Sequence, residues 1–166
     1  MRVVLVALLL ATTVFTLGAQ SGTQNFPLLN EGKISGSVDS SSSFMAEAKS
    51  KINGNVSAVA AVNLGAFVTV VGNVSAGTSF TSGENSTIKG SVSAKTSFTS
   101  GTSSIVGGSV TVGTDFTSGA NSFVGGDVFA PGVVTLGAGS RVMGSVHSGV
   151  GKIIYGVGAT VDRVVP

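Results

Sequence analysis

The chain has 166 residues, enough for one domain, with no cysteine or tryptophan and a formal charge of +2 from nine basic and seven acidic side chains. The lack of cysteine excludes disulfide staples and thiolate metal sites, and so small and scattered a positive excess excludes an electrostatic footprint for nucleic acid. At 42% apolar and only 10% charged, with 25 glycines, the composition is that of a packed, β-rich chain and not of a disordered one.

The first element in chain order is "MRVVLVALLLATTVFTLGAQ": one arginine, an apolar run from Val3 to Leu17, then the small residues Gly18 and Ala19. This is the layout of an export signal cleaved after Ala19. An uncleaved anchor is the alternative, but about 15 apolar residues fall short of the roughly 20 that span a bilayer. No cysteine follows the run, so it is not a lipoprotein signal. The expected location is extracellular, cell-surface or periplasmic. Residues 20–32 fit neither the signal nor the repeated units beyond them and are expected to form an arm; residues 33–166 are expected to form the folded domain.

From Ile34 the sequence repeats. Gly-Xaa-Val begins at Gly36, Gly54, Gly72, Gly90, Gly108, Gly126 and Gly144, a step of 18 held seven times. The valines are Val38, Val56, Val74, Val92, Val110, Val128 and Val146; two residues before each glycine stands Ile34, Ile52, Val70, Ile88, Val106, Val124 or Val142. Eight after the glycine come Phe44, Val62, Phe80, Phe98, Phe116 and Val134, and the column fails at Lys152. Eleven after it, Gly65, Gly83, Gly101, Gly119 and Gly137 mark a turn. Periods of this length belong to solenoids.

Within each unit the local period is two, as in Ile88-x-Gly90-x-Val92-x-Ala94, which suits a strand with one face inward. Glycine and β-branched residues in this number rule against helix. The unit also divides by three, giving three six-residue sides, with glycine and serine expected to supply the corner dihedrals and the small volumes. The expected fold is therefore an all-β, triangular parallel β-helix of about seven 18-residue coils. Its core ladders are the seven valines named above and Phe80, Phe98 and Phe116.

The outward positions carry little that could do chemistry. His147 is the single histidine, and Glu84, Asp115 and Asp127 fall at different offsets, so neither a general base in context nor an acidic ladder is formed. Calcium-binding nonapeptides would need Asp in every turn, and the Gly-x-Gly matches simply follow the solenoid spacing. No enzyme activity, cofactor, metal or small-molecule substrate is expected. Asn55-Val-Ser57, Asn73-Val-Ser75 and Asn85-Ser-Thr87 match the glycosylation pattern but are read as structural. One surface feature remains: Ser79/Thr81, Ser97/Thr99 and Asp115/Thr117 flank the Phe ladder outward, and flat hydroxyl rows of this kind are what ice-binding proteins present to ice.

With Ile/Val-x-Gly-[Ser/Asn/Asp]-Val-x-Ala at this spacing, and "VGGDVFA" at Val124 to Ala130, the sequence resembles the bactofilins, a bacterial polymer-forming β-helix family, from about Ile34 to Val146. The resemblance implies a right-handed helix that polymerises end to end, without nucleotide, into a filament serving as scaffold. The chain departs from that family in beginning with an export signal and in being nearly uncharged. Only Glu84, Lys89, Lys95, Asp115 and Asp127 are charged between Asn53 and Ser140, so an exported fibre fits better than a cytoskeletal one.

Physics points the same way, because a solenoid's end coils expose unpaired backbone groups that must be capped or paired. No amphipathic capping helix is present in the sequence. Apolar residues are found instead at both ends: Phe26, Leu28 and Leu29 at one, and Ile153, Ile154, Tyr155, Val157, Val161, Val164 and Val165 at the other. These are the expected contacts of a homopolymer, with attachment to a membrane or cell envelope left open. The competing expectation is a monomeric exported binding rod, adhesin-like or ice-binding.

Overall fold

The computed structural model describes residues 20–22, 27–28 and 30–165, with side chains from Asn30 onward; the expected export segment 1–19 lies outside them. All the regular structure in the described residues is strand. Each turn lays down three short strands, and each strand pairs in parallel with its copy one turn later, so Val74, Val92 and Val110 form one column and Phe80, Phe98 and Phe116 another. The result is a three-sided β-solenoid of about seven turns, 18 residues apart.

The first side runs from Val38–Ser40 through Val56–Ala58 and its successors to Val128–Ala130, the second from Phe44–Ala46 to Val134–Leu136, and the third from Lys33–Ile34 to Phe123–Val124. A single long strand, Arg141–Ser148, turns the corner between the third and first sides and joins them into one sheet. The alternation read from the sequence sets what is buried. Each coil points six residues inward, and for the fourth coil these are Val92, Ala94, Phe98, Ser100, Ser104 and Val106, all buried. Val38 is half-buried, since it lies only one coil from the end. Stacked rings of Phe80, Phe98 and Phe116, 5.0 and 4.9 Å apart and within 14° of parallel, measure the rise per turn directly.

The cross-section of the core is constant, and neighbouring columns compensate to keep it so. Where the first inward residue of the second side is Phe80, Phe98 or Phe116, the next is Ser82, Ser100 or Ser118; where it is Val62 or Val134, the next is Leu64 or Leu136. A close-packed interior of fixed width requires such exchange of large for small. Two polar columns finish the corners. Ser86, Ser104, Ser122 and Ser140 are buried, and each donates its hydroxyl to the carbonyl of Gly65, Gly83, Gly101 and Gly119 at 2.8–3.0 Å. Side-chain oxygens of Ser37, Asn55, Asn73, Ser91, Ser109 and Asp127 each accept the backbone N–H one coil on. Asn55 and Asn73 are therefore engaged in corner capping, as their reading as structural residues expects.

Three expectations are corrected. The corner dihedrals do not come from glycine: positive φ falls on Glu31, Lys49, Phe67, Asn85, Ser103 and Asn121, and only then on Gly139. The glycines two residues earlier serve close approach instead, because a Cβ at Gly119 would lie 2.4 Å from the carbonyl carbon of Gly101. Second, residues 20–32 are not merely an arm. Gln20–Gly22 pairs with Val38–Ser40 and Pro27–Leu28 with Met45 and Ala46, so the ladder begins one coil before residue 33. Third, the failure of the Phe column at Lys152 is a slip: the last coil steps by 19, and Ile153 pairs with Val134.

Candidate assembly interface

The two ends of the solenoid are built differently from its middle. At the C-terminal end, Ile153–Tyr155 forms the last strand of the second side and Thr160–Val165 the last of the third and first sides. The extra residue of this coil falls between Ser148 and Ile153, where Gly151 has positive φ, while Gly158 continues the positive-φ corner column from Asn121 and Gly139. A register shift between Val142 and Ser145 brings the first side back to a step of 18, with Val146 facing Val164.

The structure brings the expected C-terminal interface residues together on this coil. Ile153 and Val161 continue inward columns and stay half-buried against Val134 and Val142. Tyr155 and Val164 also occupy inward columns, yet with no coil above them they are 47% and 52% exposed. Ile154 and Val165 face outward and are exposed, and Val157, at the turn, is 90% exposed. Between the chain end and the second side lies a concavity of about 310 Å³ lined by Ser148, Gly151, Ile153, Val164 and Val165. The pair Ile153/Tyr155 breaks the large-small exchange seen in every closed coil from Phe44/Ala46 to Val134/Leu136. Charge is sparse here: Lys152 and Arg163 project from the coil, and Asp162 pairs with Arg141 at 3.7 Å.

At the N-terminal end the expected contacts Phe26 and Leu29 lie outside the described residues, and for Leu28 only the strand is described. That strand and Gln20–Gly22 are the lower edges of their sheets. Above them Ile34 and Val38 are half-buried against the core, mirroring Ile153 and Val161.

The sides of the rod hold the remaining candidates. His147 sits on the first side stacked on Phe129, ring centroids 4.9 Å apart and 3° from parallel, in one outward column with Val165. Asp115 and Asp127 accept the backbone N–H groups of Val133 and Ser145 at 2.7 Å, so both carboxylates hold corners. Among the described residues no group of three or more His, Asp or Glu side chains converges on a metal-sized site. On the second side Thr81, Thr99, Thr117 and Thr135 form one in-register outward column, the hydroxyl row of three coils with Thr135 of the next coil continuing it. No family model, curated protein or solved structure matches the chain.

Proposed function

We propose that the chain is an exported structural protein that self-assembles end to end through its terminal coils into a filament or scaffold, in the manner of the bactofilins and without catalysis or cofactor. The observation that carries this reading is the open C-terminal coil. It leaves core columns half-exposed at Tyr155 and Val164 and presents a strand edge along Ile153–Tyr155 and Thr160–Val165. Unpaired edges of this length are templates for strand addition, and natural monomers blunt them. A solenoid has the further property that a new coil adds the same contacts as any internal one.

The test is negative-stain microscopy of the purified chain across a concentration series, with a Val164→Asp/Val165→Asp variant beside it. Filaments should form with the natural chain, while the variant should remain a rod with unchanged circular dichroism, because both substitutions lie on half-exposed positions of the last coil. Filaments that persist in the variant would remove the C-terminal end from the contact. Short rods at every concentration of the natural chain would remove assembly altogether.

A second reading is favoured by the four-threonine column on the second side, which the stacked phenylalanines beneath it hold at a fixed repeat. An uncharged hydroxyl row at constant spacing suits an ice surface. Inhibition of ice recrystallisation by rods that do not polymerise would select it.

A further inference from the structure

We propose that the third side of the solenoid is a membrane-contact face, which lays the rod along a bilayer rich in anionic phospholipid. The inference concerns the flank of the rod and stands whether or not its ends assemble.

The outward column of this side follows from the strand pairing. Lys33 faces Lys51, then come Thr69 and Thr87; above them Ile105 faces Phe123, and Phe123 faces Arg141. Among the described residues the other two outward columns hold no lysine or arginine. The second side presents its threonines, and the first side runs from Asp39 through serines to Phe129 and His147.

The corners that flank the third side add to it. Lys49 and Phe67 stand on successive coils where the second side turns into the third, and Val71, Lys89 and Met143 where the third turns into the first; all are exposed. Lys33, Lys49, Lys51, Lys89 and Arg141 are thereby gathered on one flank. Against them stand Glu31, paired with Lys49 at 3.6 Å, and Asp162, paired with Arg141 at 3.7 Å, both pairs in solvent, with Glu84 at the turn into this side. Lys33, Lys51 and Lys89 have no acidic partner among the described residues. Basic residues that are scattered along the sequence are segregated in space.

Two features of this face are costs for an isolated rod. Lys33 and Lys51 are directly opposed on neighbouring strands, and like charges so placed repel. Ile105 is 42% and Phe67 51% exposed, the latter at a corner with φ 59°, which is uncommon for a bulky residue. A lone apolar residue on a surface is ordinary, but these lie among the cations. An anionic bilayer offsets both costs. Its phosphates neutralise the lysines, and Phe67, Ile105, Phe123 and Met143 enter the boundary between headgroups and acyl chains. That combination selects the partner, because a soluble polyanion would satisfy the cations and leave the apolar side chains in water.

The test is flotation of the full chain with vesicles, since filaments alone do not float. Two compositions serve: phosphatidylcholine alone, and phosphatidylcholine with phosphatidylglycerol in equal parts. Binding should require the anionic lipid and weaken as salt is raised. Lys33→Gln/Lys51→Gln should lower partition onto the mixed vesicles by about tenfold or more, since each cation near such a surface is worth about fivefold. Ile105→Ser/Phe123→Ser should lower it by about tenfold through lost apolar burial. All four substitutions are at outward positions, so circular dichroism should match the natural chain, and Thr81→Gln/Thr99→Gln on the second side should bind as the natural chain does. Equal binding to both vesicles, no binding to either, or binding that ignores Lys33→Gln/Lys51→Gln would overturn the face. Binding that falls with the lysine variant yet ignores Ile105→Ser/Phe123→Ser would overturn the bilayer in favour of a soluble polyanion.

Discussion

Val92 offers the sharpest test of which residues face inward. It is 1% exposed and stacked between Val74 and Val110, both equally enclosed, in the middle of the first side. Val92→Asp places a carboxyl group where no water and no cation can reach it. Burial of an unpaired carboxylate raises its pKa by about 3–5 units, so in the folded chain the group stays protonated near neutral pH. Holding it neutral at pH 7 against an unfolded value of about 3.9 costs roughly 4 kcal/mol, and the lost valine burial adds about 2. The sum, about 6 kcal/mol, is comparable to the whole stability of many domains.

The sign of the pH dependence is what separates this from ordinary core damage. Above pH 4 the unfolded chain releases its proton and the folded chain does not, so the native state binds more protons and stability falls as pH rises, by about 1.4 kcal/mol per unit up to the folded pKa. Urea unfolding followed by circular dichroism should show the variant destabilised by about 2 kcal/mol at pH 4 and by about 6 kcal/mol, largely unfolded, at pH 7. Val92→Asn, which cannot ionise, should be destabilised equally at both. If the difference between Val92→Asp and the natural chain were the same at the two pH values, the site would be open to water and the inward assignment of the valine column would fall.

Two further expectations probe the repeat itself. Deleting residues 54–71 removes one full turn and joins Asn53 to Gly72 in register; small-angle scattering should find a folded rod shorter by about 4.8 Å, and loss of β content would mean the unit is not autonomous. Gly119→Ala should destabilise by several kcal/mol, since its methyl would meet Gly101 backbone at 2.4 Å, whereas Asn121→Gly, at φ 54°, should be neutral within about 1 kcal/mol in thermal unfolding. The reverse ranking would return the dihedral role to the glycines.

The corner at Asn121 also marks how far sequence alone reaches. Inward columns were legible because burial forces a residue class: valine at Val92 and phenylalanine at Phe98 recur since every coil meets the same interior. The left-handed corner was not, because Glu31, Lys49, Phe67, Asn85, Ser103 and Asn121 share a backbone angle and no side-chain property. There the stacked neighbours fix φ, and the exposed side chain is free to vary. The first coil was missed for a related reason. "QSGTQNFPLL" lacks the Gly-Xaa-Val mark, and its one usable signal was that Phe26 and Leu28 stand 18 residues before Phe44 and Ala46. At the other end, Lys152 looked like a broken column when it was an inserted residue, since a one-residue slip is invisible to a fixed ruler. Of the expected interface, the C-terminal residues do share one coil. Their number alone could not tell which would point inward and which outward.

A column that holds one residue class through every coil reports on the fold; a column that changes class reports on whatever lies next to the coil where it changes. At the C-terminal end of the rod several columns change at once. The corner-capping column of Ser, Asn and Asp, whose oxygens each serve the next coil's N–H, ends in Arg163, which has no acceptor to offer. The second-side pair grows from Val134/Leu136 to Ile153/Tyr155, larger than the pair in any enclosed coil. The first-side outward column, Ser57, Ser75, Ser93 and Thr111, becomes Phe129, His147 and Val165. On the proposed assembly reading, a neighbouring copy would lie above the last coil, with Phe129 and His147 on the first side below it. If that is their role, exchanging Phe129 for Ser should leave the rod folded and raise the concentration needed for filaments; an unchanged threshold would confine the contact to the coil after Ser148.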